Sequence, residues 1–426
     1  MKELRNKTVH HLIVVFGGRV TFVALSFVGT SLVLRSLSPA EVGIYWLCLA
    51  VIKIVTGCLA DSLDLAVLRS VPHNLQADPA HAMETLRAAF WMRLGTVLSL
   101  LLVASVAAPG LSELIFKRRD YGHMLVLTGV ALAGEMLVRS AMGYFQAAQR
   151  FNQLVILDVV AQATRFACVA GLLAGGMLNA TSALCAYLAA SFLAFAVALP
   201  LLPQDLRLVR FPSLHEVREV FQYCKWMVAA MALAALYERL DVMLLGLFRG
   251  PEEVSIYAPA VMLATTPELL VSVVLTVVNP QVARLYELGR VQELARQYMK
   301  FAIPIALLSI AGALTIGGVV IEALFGARYQ LSIPSFKVLA VGTLIAAAIT
   351  PVYSALLSLV APARVVGVTA AGLALVLAGG MVVIPRYGAF GAAGLLTFTR
   401  LAIALLVILV ALPILSRRSK LAAAAA

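Results

Sequence analysis

Long apolar runs alternate with short polar breaks along the whole chain. About 20 consecutive apolar residues are needed to cross a bilayer as a helix, and twelve runs approach this length. They cover residues 12–34, 42–59, 94–114, 124–143, 154–173, 181–202, 226–247, 254–278, 301–324, 336–357, 365–383 and 389–412. The longest breaks, 60–93 and 203–225, are too short for a soluble domain and are expected to form interfacial or loop segments. The pattern therefore predicts an all-α integral membrane protein.

A seven-residue phrase occurs twice, between the first two helices of each half of the chain. Residues 39–45 read Pro-Ala-Glu-Val-Gly-Ile-Tyr and residues 251–257 read Pro-Glu-Glu-Val-Ser-Ile-Tyr, so five of seven positions match. A weaker match joins residues 113–119 to 322–328 at nearly the same offset. Because each half holds an even number of helices, the repeat predicts two six-helix lobes in parallel orientation around a central cavity. We expect the repeated Pro to set the turn and the repeated Tyr to anchor at the membrane interface.

The repeat and the helix pattern divide the chain into four parts. Residues 1–203 form the predicted N-terminal lobe, 204–225 a cytoplasmic linker, and 226–416 the C-terminal lobe. Residues 417–426 are a basic and alanine-rich tail to which no function is assigned.

The amino-acid composition also indicates an integral membrane protein. The chain is 62% hydrophobic and 13% charged, with a mean hydropathy of +0.97, whereas soluble domains are roughly 25% charged. Most Lys and Arg, Arg69 and Arg93 among them, lie on one side of the predicted membrane, which indicates that both termini are cytoplasmic. Contact of these loops with anionic headgroups accounts for the net charge of +12 without nucleic acid. The five cysteines lack metal-ligand spacing, so no metal site or cofactor is expected.

Ionisable residues within the apolar runs are the candidates for function, because charges at membrane depth usually face a partner or a water-filled cavity. The predicted substrate-binding residues are Arg19, Lys53, Arg139, Arg165, Arg239 and Arg400. The candidates for ion coupling or gating are Glu268, Asp241, Glu238, Glu135 and Asp158. The excess of bases suits phosphate or an acidic sugar, since Arg binds phosphate oxygens bidentately. Neutral sugars remain an alternative.

Spacing gives several of these charges a structural alternative. Glu135 and Arg139 are four residues apart, as expected for an ion pair within one helix. Glu238 and Asp241 are three apart, which predicts either a proton-binding carboxylate pair or carboxylates held by Arg from adjacent helices. The repeat maps Lys53 onto position 265, and we therefore expect Lys53 and Glu268 to meet across the cavity.

The segments 37–45, 59–69, 239–246 and 324–329 resemble the O-antigen flippase (Wzx) type of polysaccharide biosynthesis protein, a family of the multidrug/oligosaccharidyl-lipid/polysaccharide (MOP) exporter superfamily. Arg69, Arg239 and Asp241 match the family pattern, and Ser255 departs from its usual Gly. The resemblance implies that an undecaprenyl-pyrophosphate-linked oligosaccharide is flipped across the bacterial inner membrane by alternating access, often with ion coupling. Its partners would be that lipid-linked glycan, membrane lipid, and a polysaccharide polymerase with its assembly proteins.

Two other functions fit the helix pattern. A small-molecule or drug antiporter of the same superfamily would carry a smaller and more acidic site. A membrane-embedded polymerase or glycosyltransferase would usually show a large external loop or an acidic metal motif, and Asp61 with Asp64 offers only a weak imitation of such a motif. Transport without catalysis is therefore the expected function.

Overall fold

The computed structural model describes residues 2–207, 210–267, 282, 285, 286, 290–360 and 362–425. In a few helical stretches, which include 2–16, 19 and 415–425, it describes the backbone only. The described residues form helices and turns, with no β-strand among them. They cluster into two compact units, Met1–Ala235 and Leu236–Ala426, and the boundary falls inside one helix, α7.

The first unit contains six long helices and the start of a seventh. They are α1 Lys2–Ser36, α2 Pro39–Ala77, α3 Pro79–Phe116, α4 Gly122–Ala147, α5 Phe151–Ala174, α6 Ala180–Ala198 and α7 Leu214–Arg249. A single turn of helix, Gln204–Arg207, precedes α7 within the predicted linker. The first five helices contain the first five predicted spans, and α6 contains the sixth except for its last four residues.

Polar side chains at the starts of helices explain where the long helices of this unit begin. Ser38 accepts a hydrogen bond from the backbone N–H of Glu41, whose carboxylate accepts from the backbone N–H of Ser38 in return. Such a capping box satisfies two amides that lack a partner within the helix. Asp78 accepts from the N–H of His81 at the start of α3, and Asn179 accepts from the N–H of Ser182 at the start of α6.

The prediction of amphipathic interfacial or loop segments over residues 60–93 is wrong as regards a loop, because these residues are helical except at one position. Helix α2 continues to Ala77 and α3 begins at Pro79, so Asp78 alone separates them. The apolar window ends near the charged residues of α2, but the helix continues because Leu63, Val67 and Val71 remain on a buried face.

Among the described residues, the second unit contains the end of α7 and five further helices. They are α8 Pro251–Ala264, α9 Val291–Thr315, α10 Gly317–Phe325, α11 Ser332–Val360 and α12 Pro362–Ala425. Residues 268–278 of the predicted eighth span lie outside the described part. Eight helices in the two units are long and apolar enough to cross a membrane among the residues searched.

The prediction of one continuous span over 301–324 is wrong, because the helix is interrupted at Ile316. Two glycines follow the break, and a Cβ added to Gly317 would lie 2.3 Å from the ring of Phe336. Consecutive glycines weaken a helix and allow this close approach.

Helix α12 contains both the eleventh and the twelfth predicted spans, which meet at Gly388. Gly388 has φ 55° and ψ −135°, a conformation that breaks the helix and that residues with a Cβ rarely adopt. The carboxylate of Glu253 accepts a hydrogen bond from the N–H of Ala389 at 3.0 Å, so it caps the second part of α12. This gives the repeated Glu of the second unit a role in joining α8 to α12.

Candidate functional site

Arginine and carboxylate side chains meet between α2, α3 and α4 of the first unit. Arg93 of α3 is 2% exposed, and its Nη2 lies 2.5 Å from Asp64 Oδ1 of α2. Arg93 also donates to the carbonyl oxygen of Ala60 and to Ser140 Oγ of α4. A charge buried this deeply needs an opposite charge and several hydrogen bonds, and Arg93 has both.

The same carboxylate links Arg93 to a second arginine. Arg139 Nη1 of α4 lies 3.8 Å from Asp64 Oδ2 and 3.5 Å from Asp61 Oδ1. Arg139 Nε lies 3.7 Å from Glu135 Oε1, which is the ion pair that their spacing predicts. Asp61 is the most accessible member, since 48% of its side chain is exposed.

Two tyrosines extend these contacts to a third arginine. Tyr187 of α6 donates to Glu135 Oε2 at 3.2 Å, and the Cζ atom of Arg165 lies 4.9 Å above the Tyr187 ring. Arg165 Nη2 of α5 donates to the hydroxyl of Tyr45 of α2 at 2.5 Å. We call the resulting chain of contacts the charged network; its members are Tyr45, Asp61, Asp64, Arg93, Glu135, Arg139, Arg165 and Tyr187.

Among the described residues, two arginines of the charged network form direct ion pairs with carboxylates, and the third, Arg165, does not. Arg93 and Arg139 lie beside Asp61, Asp64 and Glu135, whereas the hydrogen bond and ring contact of Arg165 are both with neutral tyrosines. Arg165 thus has no direct ion pair among the described residues: the Tyr187 ring stabilises its charge through a cation–π contact, and Glu135 acts on it from beyond Tyr187.

The second unit holds a buried carboxylate rather than a buried arginine against the repeated Tyr. Asp241 of α7 is 1% exposed, and its Oδ2 accepts a hydrogen bond from the hydroxyl of Tyr257 at 2.6 Å. Asp241 Oδ1 has no hydrogen-bond partner in the described part of the chain. Arg239 and Arg400 both interact favourably with the charge of Asp241.

A small cavity lies beside Arg400 within the second unit. It measures about 240 Å³, and its polar lining comes from Tyr237, Thr343, Thr350, Ser354 and Arg400. Arg400 Nη1 donates to Thr343 Oγ1. Arg239 is half-buried, and its Nε has no hydrogen-bond partner among the described residues. Arg400 therefore faces polar groups, and Arg239 has one N–H group without a hydrogen-bond partner among the described residues.

The prediction that the repeated tyrosines anchor at the membrane interface is wrong. Tyr45 and Tyr257 are 0% exposed and hydrogen-bond Arg165 and Asp241, respectively. The repeated Pro does begin a helix in both copies, as predicted. The hydroxyl groups are used in opposite senses, since Tyr45 accepts from a cation and Tyr257 donates to an anion.

The other predicted site residues have varied surroundings. Lys53 is exposed on α2 and Asp158 is half-buried on α5. Glu238 is exposed whereas Asp241 is buried, so the two do not form the buried carboxylate pair that their spacing allowed. Glu268 and the Arg19 side chain lie outside the described residues, and the contact predicted between Lys53 and Glu268 stays a prediction.

Sequence reasoning missed part of the charged network. Arg93 lies one residue before the predicted third span, so the sequence places it among the cytoplasmic charges. Asp61 and Asp64 appear in the sequence only as a weak resemblance to the acidic metal motif of an enzyme. Their spacing of three residues, which puts both carboxylates on one helix face, was the available signal. The identical Tyr in both repeats was a second one.

The fold and the buried charges define a multi-pass membrane transporter with two helical lobes. Residues 10–286 match the family described as polysaccharide biosynthesis protein, and the chain belongs to that family. This confirms the resemblance found in the sequence. No curated protein matches the sequence.

Solved structures of MOP superfamily transporters have the same fold. An inward-facing multidrug resistance MATE family transporter aligns with TM-score 0.77 at 15% identity, over 94% of this chain and 95% of its own. The lipid II flippase MurJ, in an inward closed conformation, aligns with TM-score 0.75 at 13% identity, over 97% and 90%. A MOP superfamily transporter from Pyrococcus furiosus, described as having a binding pocket of reverse polarity, aligns with TM-score 0.67 at 14% identity, over 95% and 94%.

Proposed function

We propose that this membrane transporter is a flippase for undecaprenyl-pyrophosphate-linked oligosaccharide, such as an O-antigen repeat unit or a related glycan. It moves the lipid-linked glycan from the cytoplasmic to the periplasmic leaflet of the bacterial inner membrane by alternating access, with both termini in the cytoplasm. The polysaccharide polymerase and its assembly proteins would receive the product. The observation that carries the proposal is Arg165, an arginine within a membrane-spanning helix that forms no direct ion pair with a carboxylate among the described residues.

The surroundings of Arg165 suit a phosphate ligand. Its guanidinium is oriented by the Tyr45 hydroxyl and the Tyr187 ring, neither of which cancels its charge. A cation without a direct ion pair at membrane depth is costly, and such residues usually mark a substrate pathway. Guanidinium groups bind phosphate oxygens through two parallel hydrogen bonds, so a pyrophosphate headgroup would supply the missing negative charge.

Arg239 and Arg400 of the second unit are further candidates for contact with the headgroup or an acidic sugar. Arg400 lines the 240 Å³ cavity together with hydroxyl groups of Thr343, Thr350 and Ser354. Hydroxyl and guanidinium groups together provide the hydrogen bonds that sugars and phosphates require. Arg19 and Lys53 complete the proposed set.

The pairing of the carboxylates distinguishes a flippase from an exporter of cationic drugs. Asp61, Asp64 and Glu135 each contact an arginine of the charged network. These paired acids do not provide the net acidic site that a cationic substrate would need. The Pyrococcus furiosus transporter is described as having a binding pocket of reverse polarity. This supports the idea that transporters with the same fold differ in the charge of their binding pocket.

Ion coupling is proposed to involve a buried carboxylate, with Asp241 and Glu268 as the first candidates. Asp241 has one hydrogen-bond donor for Oδ2 and none in the described residues for Oδ1. Asp241 Oδ1 is therefore available to bind a proton. If transport by the purified protein continues unchanged without an ion gradient, this part of the proposal fails.

The role of Arg165 is tested by flipping in proteoliposomes. The assay measures how fast the headgroup of a lipid-linked oligosaccharide becomes protected from, or accessible to, a reagent that cannot cross the membrane. Arg165→Ala is expected to slow flipping at least about tenfold, since a charge-assisted hydrogen bond contributes ~1.5–3 kcal/mol.

Arg119→Ala is the matched control, because Arg119 is 74% exposed and pairs only with the exposed Glu113. We expect this variant to flip at the wild-type rate. Equal rates for wild type and Arg165→Ala, at equal protein insertion, would refute the assignment. If the purified protein alone released polymerised glycan, its assigned function would change from transport to catalysis.

A further inference from the structure

A polar cavity lies where α7 begins beside α3, away from the charged network. It measures about 310 Å³, and its polar lining comes from Ser70, His81, Thr85, Glu216 and Glu219. Imidazole and carboxylate groups on two different helices therefore face one partly open cavity. No role in the proposed transport cycle uses them.

The spacing on α7 forms a chelating pair. His215 and Glu219 are four residues apart and share one helix face, which is the arrangement by which a single helix offers two ligands to one metal ion. Donor atoms of His215, Glu216 and Glu219 lie within 4.8 Å of one another. The side chains of His215 and Glu219 are both exposed.

Glu216 is held in place from α3. It is 5% exposed, and its Oε1 accepts a hydrogen bond from Thr85 Oγ1 at 2.7 Å. Its Oε2 lies 3.4 Å from His81 Nδ1. Zinc bonds of about 2.0–2.1 Å in a tetrahedral site place neighbouring ligand atoms ~3.3 Å apart, so Glu216 and His81 already have the separation of two ligands on one ion.

We propose that His81, His215, Glu216 and Glu219 bind a divalent transition-metal ion such as Zn²⁺. Two imidazoles with two carboxylates form a donor set that Zn²⁺ accepts, whereas Mg²⁺ and Ca²⁺ prefer oxygen ligands alone. The two carboxylates bring two negative charges into a partly buried space, and a divalent cation compensates both. Thr85 orients Glu216 through its hydrogen bond, as outer partners of metal ligands commonly do.

The bound ion would tie the first turn of α7 to the first turns of α3. This joint already contains a stacked pair, Trp91 and Phe211, with ring centroids 4.3 Å apart. Arg87 also donates to the carbonyl oxygen of Asp205 at 2.9 Å. The metal ion therefore adds a link to a segment that packing and hydrogen bonds already hold, and its loss should not unfold the protein.

The test is a Zn²⁺ titration of the untagged full-length protein in detergent, with a chromogenic zinc chelator as competitor. The variants His215→Ala and Glu219→Gln are suitable because both side chains are exposed and their loss leaves the core intact. His73→Ala is the matched control, since His73 is exposed on α2 and does not line the cavity.

We expect the wild type and His73→Ala to bind one Zn²⁺ per chain with micromolar or tighter affinity. Each of the other two variants should weaken binding at least about tenfold, because loss of even an outer-shell partner costs 10–100-fold. We also expect Zn²⁺ to raise the midpoint temperature of thermal unfolding of the wild type but not that of His215→Ala or Glu219→Gln. The proposal is overturned if the wild type binds no Zn²⁺, if all four proteins bind alike, or if millimolar Mg²⁺ displaces the ion.

Discussion

The hydrogen bond between Tyr257 and Asp241 should contribute measurably to the stability of the second unit. Tyr257→Phe removes a single oxygen atom from a residue that is 0% exposed, and that oxygen donates to Asp241 Oδ2 at 2.6 Å. Because Asp241 Oδ1 already lacks a partner among the described residues, the carboxylate would lose the hydrogen bond that the Tyr257 side chain donates to it. The variant therefore tests whether a buried acid depends on the repeated Tyr.

The expected cost of Tyr257→Phe is about 1.5–3 kcal/mol, the usual range for a hydrogen bond to a charged group. Hydrogen bonds between membrane helices average ~0.6 kcal/mol, and we expect a larger value here because the acceptor is a carboxylate that is 1% exposed. The assay is equilibrium unfolding of the purified protein in mixed detergent micelles with increasing SDS.

Tyr387→Phe is the matched control for the same chemical change. Tyr387 is 64% exposed, so removal of its hydroxyl should change stability by no more than ~0.5 kcal/mol. If Tyr257→Phe costs less than ~0.6 kcal/mol, or no more than Tyr387→Phe, the hydrogen bond is not a significant support for Asp241. The reasoning from burial and distance would then be refuted.

Two further substitutions test the packing of each unit by the same unfolding assay. Asp64→Asn should destabilise the first unit by about 3–5 kcal/mol because it leaves the buried charge of Arg93 unpaired. The control Glu113→Gln changes an exposed ion pair and should cost no more than ~1 kcal/mol. Equal losses of stability in the two variants would contradict the argument. Gly388→Ala should cost about 1–3 kcal/mol because its φ is 55° and the added Cβ would lie 2.6 Å from a carboxylate oxygen. Gly367→Ala, which has open space around it, should be neutral or stabilising, and a stable Gly388→Ala protein would show that the break in α12 needs no glycine.

The membrane class and the helical fold could be predicted because each depends on local sequence. Runs of about 20 apolar residues are visible in any window of that length, and the pairing of Glu135 with Arg139 follows from helix geometry alone. The interruption at Ile316 was missed because hydropathy does not register consecutive glycines within an apolar run. Hydropathy also hides helical turns that carry charges, and for this reason the length of α2 was underestimated.

The partners of the buried charges could not be predicted, because they are far apart in sequence. Tyr45 and Arg165 are separated by 120 positions, and Thr85 and Glu216 by 131. Repetition of the Tyr showed that the position matters but not whether the hydroxyl meets a cation or an anion. That choice depends on which residue of a neighbouring helix packs against it, which only the three-dimensional structure supplies.

The most direct test of the central claim is flipping by the wild-type protein alone. Purified protein in liposomes should expose an undecaprenyl-pyrophosphate-linked oligosaccharide to the opposite leaflet faster than protein-free liposomes do, and an imposed ion gradient should change the rate. The account is contradicted if the rate with protein equals that of empty liposomes while the same preparation exchanges a small cationic drug for protons or sodium ions.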